Sequence, residues 1–157
     1  MSLESLIDRY AAGADLVQQA VAGMTDEQLQ ARPVPGKWST LEVLSHLADF
    51  EVVGVDRLAA VIAEDEPTLP VRDEQKYIQR LAYSLRDADE QLQLITLCRR
   101  HTTRILRTLT DADVSRRGIH TEAGPLTLDK LLERVINHVE HHVKFIHEKR
   151  NALGIRS

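Results

Sequence analysis

A chain of 157 residues with 43% apolar and 28% charged side chains carries enough apolar surface to bury a core, which excludes a disordered chain and fits one domain spanning residues 1–157. Its 20 Lys and Arg are scattered among 24 Asp and Glu, for a net charge of -4, so no nucleic-acid-binding stripe and no acidic tail is visible. The polar start Met1-Ser2-Leu3-Glu4 is unlike a signal peptide, no apolar run reaches membrane-spanning length, and the single Cys98 excludes an internal disulfide; a cytoplasmic protein without a membrane partner is expected.

The first helix is expected over residues 3–22, where Leu3, Leu6, Ile7, Tyr10, Ala14, Val17 and Val21 recur at helical spacing. Thr25-Asp26-Glu27-Gln28 reads as a short capped turn, and Pro33, Pro35 and Gly36 enforce a loop. The second helix opens on a capping box, Ser39 with Glu42, and runs to about residue 64, before Pro67 and Pro70. It is apolar on two sides, one with Leu44, Leu47, Ala48, Val55, Leu58 and Ile62 and another with Val43, Phe50, Val53 and Val61. Such a helix is either central in a bundle or in contact with a second copy, which points to a homodimer as one solution.

Residues 73–82 read as a short helix and 87–109 as a long one, with Leu92, Ile95, Cys98, Thr102, Ile105 and Leu109 on one side. Cys98 reads as an inert thiol, since no cationic motif activates it. Asp111-Ala112-Asp113-Val114 repeats the composition of the earlier capped turn, which suggests a pair of repeated hairpins. Gly118 to Pro125 breaks the helical pattern and admits a small extended stretch. Thr127 then caps a last helix through Arg150, with Asp129 near its positive end and Lys149 and Arg150 near its negative end. Four long helices with short connecting ones predict an all-α four-helix bundle.

Four of the 7 histidines lie between residues 138 and 147. At roughly 100° per residue, His138 and His142 stand about 40° apart on successive turns and can grip one ion. Both border the apolar stripe of Leu128, Leu131, Leu132, Val135, Val139, Val143 and Ile146, whereas His147 falls among Glu140, Lys144 and Glu148, and His141 turns toward solvent. Two ligands bind weakly, so a third is expected from elsewhere. His46 is the best candidate; spacing alone leaves His101 and His120 open.

Three segments resemble the DinB-like superfamily, which includes the YfiT-like proteins: Gly36-Lys37-Trp38-Ser39 through Ser45-His46-Leu47, Arg117-Gly118-Ile119-His120 with Gly124-Pro125-Leu126-Thr127-Leu128, and His138-Val139-Glu140-His141-His142. The resemblance implies a four-helix bundle in which His46, His138 and His142 bind zinc, nickel or a similar divalent ion. It also implies a metal-dependent transferase that uses a low-molecular-weight thiol on a small electrophile. The alternatives are a metal-dependent hydrolase and a metal-stabilised stress-response or binding module without turnover. Beside this site, Trp38 reads as an apolar lock at the helix start. Glu51, on the apolar stripe, needs a buried partner such as an inter-helix salt bridge. Asp49, one turn from His46, reads either as a carboxylate orienting that ring or as an exposed side chain.

Overall fold

The computed structural model describes residues 2–155. In chain order it contains α1 (Leu3–Val21), α2 (Asp26–Gln30), α3 (Thr40–Ala63), β1 (Thr68–Leu69), α4 (Glu74–Arg80), a 3-10 turn (Tyr83–Leu85), α5 (Ala88–Leu106), a second 3-10 turn (Asp111–Ser115), β2 (Arg117–His120), β3 (Gly124–Thr127) and α6 (Leu128–Ala152). The helix starts follow local chemistry. At α3 the Ser39 amide donates to Glu42 Oε2 at 2.7 Å and the Glu42 amide to Ser39 Oγ at 3.1 Å, the reciprocal box expected. The same box forms between Thr25 and Gln28, and Asp87 Oδ1 accepts from the Glu90 amide at the start of α5. Thr127 is the N-cap residue of α6, but its hydroxyl turns to Asp129 rather than to a helix amide. Asp129 in turn accepts from the Lys130 amide at 2.8 Å, so the carboxylate serves the positive helix end.

The four long helices form the bundle: α1 packs on α5 and α6, and α3 packs on the same two. Of the long helices, α1 and α3 therefore sit at diagonal corners, as do α5 and α6, whereas α3 and α5 are neighbours. Leu6, Leu58, Leu106 and Leu132 meet in one core cluster, and Val17, Leu44, Ile95 and Ile146 meet in another. This pairing of ends makes α1 parallel to α6 and α3 parallel to α5. The repeated capped turns are both present, as α2 and the Asp111–Ser115 turn. The hairpins they suggested are not, because each leads to a diagonal helix instead of an adjacent one. The two-sided apolar pattern of α3 fits its place between α5 and α6.

Parallel neighbours need a long return. Residues 64–87 bring the chain from the end of α3 back to the start of α5, and on the way they lay α4 against α3. Where the return begins, β1 pairs in parallel with β2, Leu69 opposite His120, and β2 pairs antiparallel with β3. A two-residue strand between Pro67 and Pro70 is too short to show a periodicity, and the prolines read only as a helix stop. Gly118 is required here: a Cβ would stand 2.8 Å from Leu69 Cδ1 and 2.9 Å from Val61 Cγ2. Two arginines finish helices other than their own. Arg116 donates to the carbonyls of Val61 and Glu64 at the end of α3, and Arg150 donates to Ala22 O at the end of α1 at 2.8 Å. Lys149 and Arg150 stand in the last turn of α6, at the negative end expected for them, and both are buried.

Glu51 finds the partner its burial demands. Arg99 of α5 reaches its Oε2 from Nη2 at 2.9 Å and from Nε at 3.0 Å, and the Tyr10 hydroxyl of α1 donates to Oε1 at 2.8 Å. Arg99 Nη1 donates onward to the Tyr10 carbonyl at 2.6 Å. Glu51 and Arg99 are 2% and 1% exposed, so each charge depends on the other for solvation. Gly13 makes room for the arginine, since a Cβ there would lie 1.9 Å from Nη1. Removing one partner of a buried pair costs about 3–5 kcal/mol. Urea unfolding of Glu51→Ala should show a loss in that range, and Gly13→Ala should destabilise through the same arginine.

Candidate metal centre

His46 lies nearly two turns into α3 and is completely buried. His138 and His142 come from successive turns of α6, the first half-buried and the second buried. One ring nitrogen from each of the three lies within 4.8 Å of the others, and His46 Nε2 is 2.9 Å from His138 Nε2. The other histidines stay outside this cluster. His101, His141 and His147 are exposed, and His120 sits in β2, where its Nδ1 accepts from the amides of Glu122 and Ala123.

The walls are aromatic. The Trp38 ring lies parallel to His142 at 6.5 Å and 5.2 Å from His46, and Phe50 lies 4.5 Å from His46 and 5.7 Å from His138. Trp38 thus packs against the core at the start of α3 and also forms a side of the histidine cluster. Burial first, and then the neighbouring histidine, lowers the pKa of His46 to about 3. His138 and His142 are lowered to about 3 for the same leading reason, with smaller contributions from His46 and His138 respectively and from other nearby cations. All three rings are neutral at pH 7 and offer lone pairs, the form in which imidazole binds metal.

The donor set fits a divalent transition ion. Two nitrogens at about 2.1 Å from one ion stand roughly 3.0 Å apart at a right angle and roughly 3.4 Å apart in a tetrahedral site, so the His46 and His138 nitrogens, at 2.9 Å, lie near the shorter of these spacings. The support behind the rings is thinner. His46 Nδ1 and His142 Nδ1 are buried with no hydrogen-bond partner, where zinc-ligating histidines usually donate to a carboxylate or carbonyl. Asp49 does not fill that role. It forms a two-pronged ion pair with Arg86, at 2.8 and 3.0 Å, and is neither exposed nor turned to His46.

Glu74 is the group that sequence reasoning missed. It stands in the first turn of α4, about half exposed, with Oε2 4.0 Å from His46 Nε2. No periodicity marks it; the long return from α3 to α5 brings it over the cluster. Cys98 is half-buried on α5, and burial raises its thiol pKa, which leaves it unactivated. Two cavities meet at His138. The larger, about 420 Å³, is bordered by Trp38, Glu74, His138, His141, His142 and Lys149. The smaller, about 160 Å³, lies between α3, α6 and the β2–β3 hairpin and is bordered by Phe50, Arg57, His120, Arg134, Val135 and His138.

A family model described as the DinB superfamily matches residues 9–146. YfiT of Bacillus subtilis, described as a candidate metal-dependent hydrolase, is 30% identical over 139 residues, which span 88% of this chain and 78% of the relative. A protein of Oceanobacillus iheyensis with the same description is 28% identical over 131 residues, 83% of this chain and 76% of its own. The solved structure of YfiT, described as a four-helix bundle of unusual topology, gives a TM-score of 0.91 at 27% identity, covering 99% of this chain and 91% of that one. The mycothiol-dependent maleylpyruvate isomerase shares the fold, with a TM-score of 0.72 at 13% identity over 92% of this chain and 60% of that one.

The neutral histidines make stability depend on pH. Each ring has a pKa of about 3 when folded and an ordinary value of 6.5. Their contribution is fully present above 6.5 and is lost as pH falls toward 3, because the unfolded chain takes up the protons first. Each ring contributes a slope of at most about 1.4 kcal/mol per pH unit in that window. Denaturant unfolding of the chelator-treated protein between about pH 7.5 and about pH 5 should show stability falling with acid. The double variant His138→Asn/His142→Asn should lose most of that slope.

Proposed function

The chain belongs to the DinB superfamily, and from that premise we propose that His46, His138 and His142 bind one divalent transition ion, zinc or nickel, used for transfer of a low-molecular-weight thiol to a small electrophile. The convergence of three neutral imidazoles within 4.8 Å carries the metal reading. The thiol reading draws on the two cavities that share His138 as a wall, since a transferase must hold two molecules where a hydrolase holds one organic substrate and water. A low-molecular-weight thiol and an unpaired Cys98 both suit a reducing compartment, so we place the protein in the cytoplasm.

A bound divalent ion supplies Lewis acidity, drawing down the pKa of a thiol or water at its open positions so that the nucleophile exists at neutral pH. The chain's own groups do the rest. Trp38, Phe50 and Phe145 wall the cluster with apolar rings, which limits competing water. Glu74 is within one water of the histidine nitrogens and accepts the proton that the nucleophile gives up. Hydrolysis is the second reading. It matches the descriptions of the relatives and uses the same carboxylate, with water in place of the thiol. A metal-stabilised module without turnover is the third.

Elemental analysis should find near-equimolar metal in the wild type and little in His138→Ala or His142→Ala; full metal in both variants rules out this site. Removing the ion should also lower the melting temperature, because a ligand bound only by the folded state stabilises it by mass action. For turnover, the metal-replete protein is assayed with common bacterial thiols paired with generic electrophiles. Rate enhancement that requires thiol supports transfer, enhancement without thiol supports hydrolysis, and none supports the module. Glu74→Gln should reduce kcat about 100-fold or more with metal content unchanged; an unaltered kcat removes Glu74 from proton transfer.

A further inference from the structure

The smaller cavity is bordered by two arginines that no ion pair among the described residues neutralises. Arg57 of α3 and Arg134 of α6 both border it. Among the described residues neither takes part in an ion pair. Arg57 is half-buried, and its one hydrogen bond goes to the carbonyl of Pro70. Burial, and then the charges of Arg72 and Arg134, depress its pKa despite the opposing effect of Asp56. Glu51 is the one acidic side chain on the cavity wall, and both its oxygens are engaged by Arg99 and Tyr10. It has little to offer the other two arginines.

His120 adds a third polar group to the same wall. Because its Nδ1 accepts from two backbone amides, the neutral ring carries its proton on Nε2 and is left with a donor. The remaining walls, among them Phe50, Val53, Leu126 and Val135, are apolar. Two guanidiniums that repel one another beside an imidazole donor form a cradle for an anion, and the planar fork of arginine matches a carboxylate. The apolar walls then take the body of the molecule, and His138 borders both this cavity and the larger one.

We infer that this cavity binds the carboxylate of a small organic acid with an apolar body, held by Arg57, Arg134 and His120 so that the rest of the molecule extends toward His138. The inference rests on the proposed metal site only for where the reactive end points. It names the electrophile's class: the molecule that reaches the site from this side carries a carboxylate.

The test uses the full chain, metal-loaded and chelator-treated, titrated by calorimetry with phenylacetate, its neutral analogue phenylacetamide, and inorganic phosphate. Phenylacetate should bind in both metal states, at least about tenfold tighter than phenylacetamide. Arg134→Gln, at an exposed position, and Arg57→Gln should each weaken phenylacetate about tenfold without altering metal content. Equal affinity for acid and amide, no saturable binding of phenylacetate, phosphate binding as tight as phenylacetate, or an Arg134→Gln variant that binds like wild type would overturn the subsite. Arginine-dependent binding of phenylacetate to a protein that takes up no metal leaves the subsite standing and removes the metal reading. A metal-loaded protein that treats acid and amide alike does the reverse.

Discussion

The Glu51–Arg99 pair holds three of the four long helices in register. Its members come from α3 and α5, and the tyrosine that completes it, Tyr10, comes from α1 by hydroxyl and carbonyl alike. A buried pair of this kind adds little net stability over a well-packed apolar contact, yet it is expensive to break. Its effect is to make one axial arrangement of the helices far better than its neighbours. Glu51 is little more than one turn from His46 on the same helix, so the ion pair also sets where His46 stands along the bundle. The fourth helix is placed separately, by Arg150 on the carbonyls ending α1 and by the hairpin that leads into α6. The histidine cluster is the point where these two sets of constraints meet.

Much of the secondary structure was legible because its signals are local. Ser39 with Glu42 and Thr25 with Gln28 state where helices begin, and each does so through a hydrogen bond within four residues. The choice of His138 and His142 over His147 was legible too, because helical phase relates residues on one helix to that helix's own apolar stripe. His46 could be preferred over His101 and His120 only through the family resemblance. Periodicity reports which side of a helix faces inward, but not which helices are neighbours, and in this bundle α1 is not beside α3, nor α5 beside α6.

The same limit explains the misses. Glu74 lies on a short exposed helix with no buried residue, and its place near His46 is a product of the long return from α3 to α5. β1 exists because β2 is there to pair with it. Asp49 had a plausible spacing from His46, but Arg86, outside that helix, draws it away. Each of these depends on a residue distant in sequence. A pattern read along one helix has no access to such partners, whereas burial of Glu51 could be anticipated because an acidic residue on an apolar stripe must be matched by something.

The diagonal arrangement of the helices bears on how the chain reaches this state. An up-and-down bundle can assemble from adjacent hairpins, closing one short loop at a time. Here α1 has no large contact with α3, and its native partners lie far ahead: Tyr10 meets Arg99 across 89 positions and Arg9 meets Glu140 across 131. The entropy of closing such loops must be met before the contacts that reward it exist. The rate-limiting ensemble therefore has to gather segments from both ends of the chain, which sets this bundle among slower folders than its helical content alone suggests.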